Sequence, residues 1–234
     1  MRSVLIHNWK TYIPSEDAAV ALAAALHAPT DTLLVVCPSA VHIPVIREHL
    51  AGKGMYLGAQ DFSVSRETPQ TGRLSGDQLT DMGVQYVIVG HAETRANGVI
   101  NAMVVEKVKH ATATGITPII CISEQKKDEP SIGDEVVGQL QEIVEKTDSI
   151  EQSIIAYEPT AHIGAENALD TRAIGVITAR LRGVLKKDSI PILYGGSVDA
   201  DNAVDIMKNG GVNGFLLGRA SVKADTANAI TALF

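Results

Sequence analysis

With 234 residues, 45% hydrophobic and 20% charged, and a formal net charge of −7, the chain has ordinary globular composition and enough length for one large core. The acidic balance and the lack of a basic cluster exclude the footprint of a nucleic-acid or anionic-lipid binder. An aromatic content of 4% is too thin for a base-stacking platform, and no apolar run nears the roughly 20 residues of a membrane span.

In chain order, Met1-Arg2-Ser3-Val4-Leu5-Ile6 runs straight into a strand pattern rather than a signal peptide. Further strand-like apolar runs stand near 32–37, 55–59, 85–90, 117–122, 153–157, 191–194 and 213–217, after a first at 4–8. Helical patterns alternate with them: Pro14 to His27, a short one from Ser75 to Met82, Val99 to Thr114, Asp134 to Lys146, Thr171 to Lys187, Ala200 to Asn209, and a last from Ser221. Ser15, followed by Glu16 and Asp17, and Asp170 before Thr171 are expected helix caps, because their side chains accept from otherwise unpaired first-turn N–H groups. Cys37 and Cys121 both fall in or at the ends of apolar runs and suggest no disulfide framework, so a reducing cytoplasm is expected. Strand–helix alternation on this scale implies parallel strands with right-handed crossovers. Eight such units in this length predict an α/β fold in one domain, residues 1–234: a single (β/α)8 barrel of eight parallel strands surrounded by helices.

In that architecture the loops after the strands gather at one end and form the active site. The polar residues at the predicted strand ends are therefore the candidates. Asn8 and Lys10 follow the first strand, His91 and Glu93 the fourth, Glu158 the sixth, Gly195, Gly196 and Ser197 the seventh, and Gly218 the eighth. Alone, each is unremarkable: a strand-end lysine is usually solvated, and Gly-Gly-Ser is a common turn. Together they suit proton abstraction beside a carbonyl. Glu158 is the general base, with burial expected to raise its pKa toward neutrality. His91, if it lies near a helix start, is expected to stay neutral and to donate a hydrogen bond to the carbonyl. Lys10 supplies a fixed cation for a developing enolate, and the backbone at Gly195 and Gly196, with the Ser197 hydroxyl, suits a phosphate. On a phosphorylated sugar that chemistry is an aldose–ketose isomerisation through an enediol.

Longer motifs carry a resemblance over the whole chain. Asn8-Trp9-Lys10, Gly58-Ala59-Gln60 with Thr71-Gly72, Val89-Gly90-His91-Ala92-Glu93-Thr94-Arg95, Pro118 to Ile122 with Glu124, Ala156-Tyr157-Glu158-Pro159 with Ile163-Gly164, Leu193 to Val198, and Leu217-Gly218 with Ala220-Ser221 are similar to signatures of the triosephosphate isomerase family. The resemblance implies an isomerase interconverting dihydroxyacetone phosphate and glyceraldehyde 3-phosphate. It implies Lys10, His91 and Glu158 as catalytic residues. Asn8, Gly164, Ser197, Gly195, Gly196, Gly218 and Arg219 would bind substrate, and Glu93 and Thr71 would act as supports. It also implies a mobile lid after Glu158, a homodimer, and no metal or organic cofactor. The alternatives are a relative acting on a longer, tetrulose phosphate and a catalytically silent barrel that binds a sugar phosphate. Departures fall in two places. The lid has Thr160, Ala161 and His162 where the family commonly has an aliphatic residue, tryptophan and alanine, and Arg219 stands where it usually has a second glycine. At the expected dimer face, Arg73 and Thr94 replace both members of an intersubunit ion pair.

Overall fold

The computed structural model describes residues 2–65, 68–124, 132–148 and 150–234. Eight parallel strands close into a barrel in sequence order: β1 (Ser3–Asn8), β2 (Thr32–Cys37), β3 (Met55–Ala59), β4 (Tyr86–Val89), β5 (Thr117–Ile122), β6 (Ile154–Tyr157), β7 (Ile192–Tyr194) and β8 (Gly214–Leu217). β1 and β8 complete the ring, Val4 pairing with Gly214 and His7 with Leu217. Among the described residues the α-helices are α1 (Glu16–Ala25), α2 (Ile43–Leu50), α3 (Gly76–Asp81), α4 (Ala92–Ala96), α5 (Asn101–Ala113), α6 (Ile132–Lys146), α7 (Thr171–Leu185), α8 (Ala203–Asn209) and α9 (Ala224–Thr231).

Side chains alternate across each strand, so the barrel has two cores. Val4, Ile6, Val35, Cys37, Ile88, Ile119, Cys121, Ile154, Ala156, Leu193 and Leu216 fill the interior. The intervening residues, such as Leu5, Leu34, Ile120, Ile155 and Ile192, pack outward with apolar residues of the surrounding helices. Gly214 permits closure of the ring: a Cβ there would stand 1.8 Å from the Val4 carbonyl oxygen.

The two expected caps form: Ser15 accepts from Ala18 N, and Asp170 accepts from Arg172 N and Ala173 N. Ser75 with Gln78 adds a reciprocal capping box at α3. Two helices start three residues later than the sequence pattern suggests, for local reasons. Asp199 and Asn202 bond each other's backbone in a turn that delays α8 to Ala203, and Ser221 turns its hydroxyl back onto Leu217 O and Gly218 O before α9. The free thiols of Cys37 and Cys121 are buried. No helix among the described residues is long and apolar enough to cross a membrane.

Candidate active site

The C-terminal ends of the strands enclose a cavity of about 340 Å³. Of the candidates, Asn8, Lys10, His91, Glu158, Gly164, Gly195, Gly196, Ser197, Gly218 and Arg219 all line it. Glu93 does not line it but touches two residues that do, Lys10 and His91, and Thr71 stands exposed on the loop after β3, away from it.

Lys10 leaves β1 in the left-handed region, φ 46°, a conformation that a side chain with a Cβ rarely adopts. Three groups hold it there. Asn8 Oδ1 accepts from Lys10 N at 3.1 Å, while Ser39 Oγ and Gln60 Nε2 donate to Lys10 O at 2.7 and 2.9 Å. Gln60 also donates to Cys37 O, tying the ends of β1, β2 and β3 together. The ammonium then meets Glu93 Oε1 at 2.6 Å. Ser39 was silent in the sequence, and Gln60 showed only as part of a motif. Their work depends on three strand ends meeting, which no local pattern records.

His91 follows Gly90, whose φ of 71° sends the chain out of β4 and straight into α4. His91 caps that short helix: its Nδ1 accepts from Glu93 N at 3.1 Å, leaving Nε2 to face Glu158 Oε1 at 2.9 Å. Glu158 is 1% exposed, and its other oxygen accepts from Ala92 N at 2.9 Å. Gly195 makes room for the carboxylate, since a Cβ there would lie 2.9 Å from Glu158 Cγ.

This pairing corrects an expectation drawn from burial alone. Burial does push the Glu158 carboxyl up, but His91, the Ala92 N–H and Cys121 outweigh it and hold the carboxyl below its ordinary value. Burial likewise pushes His91 down, while the neighbouring Glu158 carboxylate pulls it above the ordinary imidazole value. The helix-start N–H at Nδ1 opposes a second proton on the ring, and hydrogen bonding here is satisfied by a proton on Nε2 and none on Nδ1. Carboxylate and imidazole thus form a coupled pair.

The far end of the cavity is glycine-lined. At Gly196 a Cβ would come 2.1 Å from Tyr194 Oη, so bare backbone is required there, while at Gly218 a Cβ would make only ordinary contact with Lys10 Cε at 3.5 Å. The segment after β6, residues 159–169, where the resemblance places a lid, is tied to these loops. Ser197 Oγ lies 3.0 Å from His162 O and 2.7 Å from Ala165 O, Arg219 Nη2 donates to Gly164 O and Ala165 O, and Leu169 N donates to Tyr194 Oη. At the root of the lid, Thr160 Oγ1 donates to Glu124 O, and the buried Glu124 carboxylate accepts from Tyr157 Oη.

A buried carboxylate against an imidazole Nε2–H, a cation beside them, and exposed backbone beyond can move a proton next to a carbonyl and hold an anion. A family model described as Triosephosphate isomerase matches residues 3–234. Three similar proteins carry that name. The one from Magnetococcus marinus is 34% identical, with 98% of this chain and 97% of that protein covered. The one from Gluconacetobacter diazotrophicus is 35% identical, covering 97% and 96%. The one from Xanthobacter autotrophicus is 37% identical, covering 95% and 93%.

Proposed function

The chain belongs to the triosephosphate isomerase family, and we propose that it interconverts dihydroxyacetone phosphate and glyceraldehyde 3-phosphate by proton transfer through an enediol. The observation that carries the reading is the convergence of Glu158, His91 Nε2 and Lys10 on one cavity whose other end is open glycine backbone.

Substrate enters between Glu158 and His91 and replaces their direct contact. The Glu158 carboxylate takes a proton from the carbon beside the carbonyl; the pair of that C–H bond forms the carbon–carbon double bond, and the carbonyl π pair moves onto the oxygen. His91, its proton on Nε2, donates toward the oxygen that gains charge. Lys10, oriented by Glu93, lowers the energy of the enediolate by its positive charge. Protonation by Glu158 at the neighbouring carbon, with exchange of the oxygen-bound proton through His91, completes an isomerisation in which no atom is gained or lost. Backbone N–H groups around Gly196 and Gly218, with Gly164, Ser197 and Arg219, bind the phosphate. The closed lid keeps water from the intermediate.

We further infer that residues 1–234 act as one domain in the cytoplasm, where buried thiols such as Cys37 and Cys121 persist. We also infer a homodimer through the loops after β1 to β4. Exposed Tyr12, Val41, Ile100 and Met103 on those loops and the start of α5 support that assembly.

The test is turnover of glyceraldehyde 3-phosphate by purified protein, with Glu158→Gln alongside and a four-carbon ketose phosphate as comparison substrate. Loss of the base is expected to lower kcat by about 10²–10⁴-fold with unchanged thermal stability. Undiminished turnover in the variant, or preference for the longer sugar, overturns the assignment.

A further inference from the structure

Arg219 is the cationic member of the set that fastens the lid. Its Nη2 lies 3.1 Å from Gly164 O and 3.2 Å from Ala165 O. Ala165 O also receives Ser197 Oγ from the loop after β7. One lid carbonyl is therefore clamped from two barrel loops, by a neutral hydroxyl and by a guanidinium. Guanidinium has five N–H donors in a rigid fork, and Nη2 offers two of them to the lid. Nε and Nη1 keep three more, and Arg219 lines the cavity next to Gly218, at the end proposed for the phosphate.

Resting on that reading of the cavity, we propose that Arg219 is a positioning residue that straps the lid to the bound phosphate: one side of its guanidinium holds Gly164 and Ala165, and the other takes a phosphate oxygen. Charge-assisted hydrogen bonds to phosphate are about twice as strong as neutral ones, and neighbouring bonds in a chain strengthen one another. A dianion at the cradle therefore fixes the guanidinium and, through it, the lid. When the anion leaves, the strap depends on two bonds from an exposed side chain to carbonyls, and the lid is released. Glu166 on the lid and Asp199 after β7 also line this cavity, as do Lys10 and Lys223. The anion thus shifts Arg219 from a site of mixed charge to a committed bridge.

The experiment is hydrogen–deuterium exchange of residues 160–169, with and without saturating inorganic phosphate. It is run on the full chain, R219A and R219Q, each with its thermal midpoint and phosphate Kd. Phosphate is expected to slow lid exchange in the unaltered protein. In R219A the lid should exchange faster at rest, phosphate should add little protection, and Kd should rise about tenfold or more. R219Q keeps two N–H donors without the charge. It should restore resting protection while leaving phosphate weakly bound and the lid unresponsive to it. Equal phosphate-linked protection in R219A or R219Q, phosphate binding at least as tight in R219A, or no response in the unaltered protein overturns the proposal. None of these measurements reads turnover. An inactive chain that passes them sinks the isomerase assignment alone, and an active chain that fails them sinks the strap alone.

Discussion

Glu158 works under a constraint imposed by a residue with no side chain. The carboxylate occupies space that a methyl group on Gly195 would invade, with Cβ at 2.9 Å from Glu158 Cγ and backbone behind it at Tyr157 O, 3.4 Å away. Gly195→Ala should therefore displace the base while leaving its chemistry intact. A shift of about 1 Å in a reacting group costs on the order of 10²-fold in rate. We expect kcat to fall by about that factor with KM little changed, measured in the same isomerisation assay. Unchanged kcat would mean that Glu158 approaches its proton from elsewhere. At this scale, the sequence disclosed identity but not state. Glu158, His91 and Lys10 were recognisable at their strand ends, yet the direction in which Glu158 titrates depends on a histidine 67 residues earlier and on the Ala92 N–H.

The elements themselves were far more legible. Each of the eight apolar runs became a strand to within two residues, because burial on both faces leaves little but Val, Ile, Leu, Ala and Cys in its middle. The helix between β2 and β3 lies outside the predicted elements: Ile43–Leu50 is short and begins with Ile-Pro, although Ile43, Ile46 and Leu50 stand at helical spacing on its buried face. α4 was hidden inside the histidine motif, whose composition is set by chemistry. β1 also carries an anomaly. His7 alternates with the inward Ile6 and Asn8, so it faces the helical layer; it is 0% exposed, and neither ring nitrogen has a hydrogen-bond partner. Burial pushes its pKa down to about 4. The folded ring stays neutral to that point, while the unfolded chain takes up a proton near the ordinary value of about 6.5. Between those values the unfolded state binds more protons, so stability falls as pH falls, by up to about 3 kcal/mol from this group alone. Urea unfolding at pH 7 and pH 4.5 should show a smaller acid loss in His7→Leu than in the unaltered chain. Equal losses would place a proton or a partner on the buried ring.

At the scale of the whole molecule, the loops after β3 and β4 bear on assembly. The loop after β3 is anchored by Asp61, which pairs with the buried Lys107 of α5, and by Ser63, which bonds Leu74 O through its backbone and Gln70 through its side chain. Beyond that anchor Thr71, Gly72 and Arg73 are exposed. Thr94 spends its hydroxyl on His91 O within α4 rather than presenting a charge. Introducing opposite charges by Arg73→Glu with Thr94→Arg should tighten the proposed homodimer, and sedimentation velocity across a dilution series should show the dimer persisting to lower concentration. Unchanged dissociation, or tightening by either single substitution alone, would mean that these loops do not face each other across the interface. A barrel closed by its first and last strands has one more consequence, for the order of events during synthesis. Val4 pairs with Gly214, and Lys10 lies against Gly218, so the cavity is not walled in until β8 has joined the ring. A ribosome-bound chain still lacking β8 is an open sheet with two unpaired edges, the form most exposed to aggregation and to proteases. Chaperone demand should therefore end, and isomerase activity begin, with the same late pairing event.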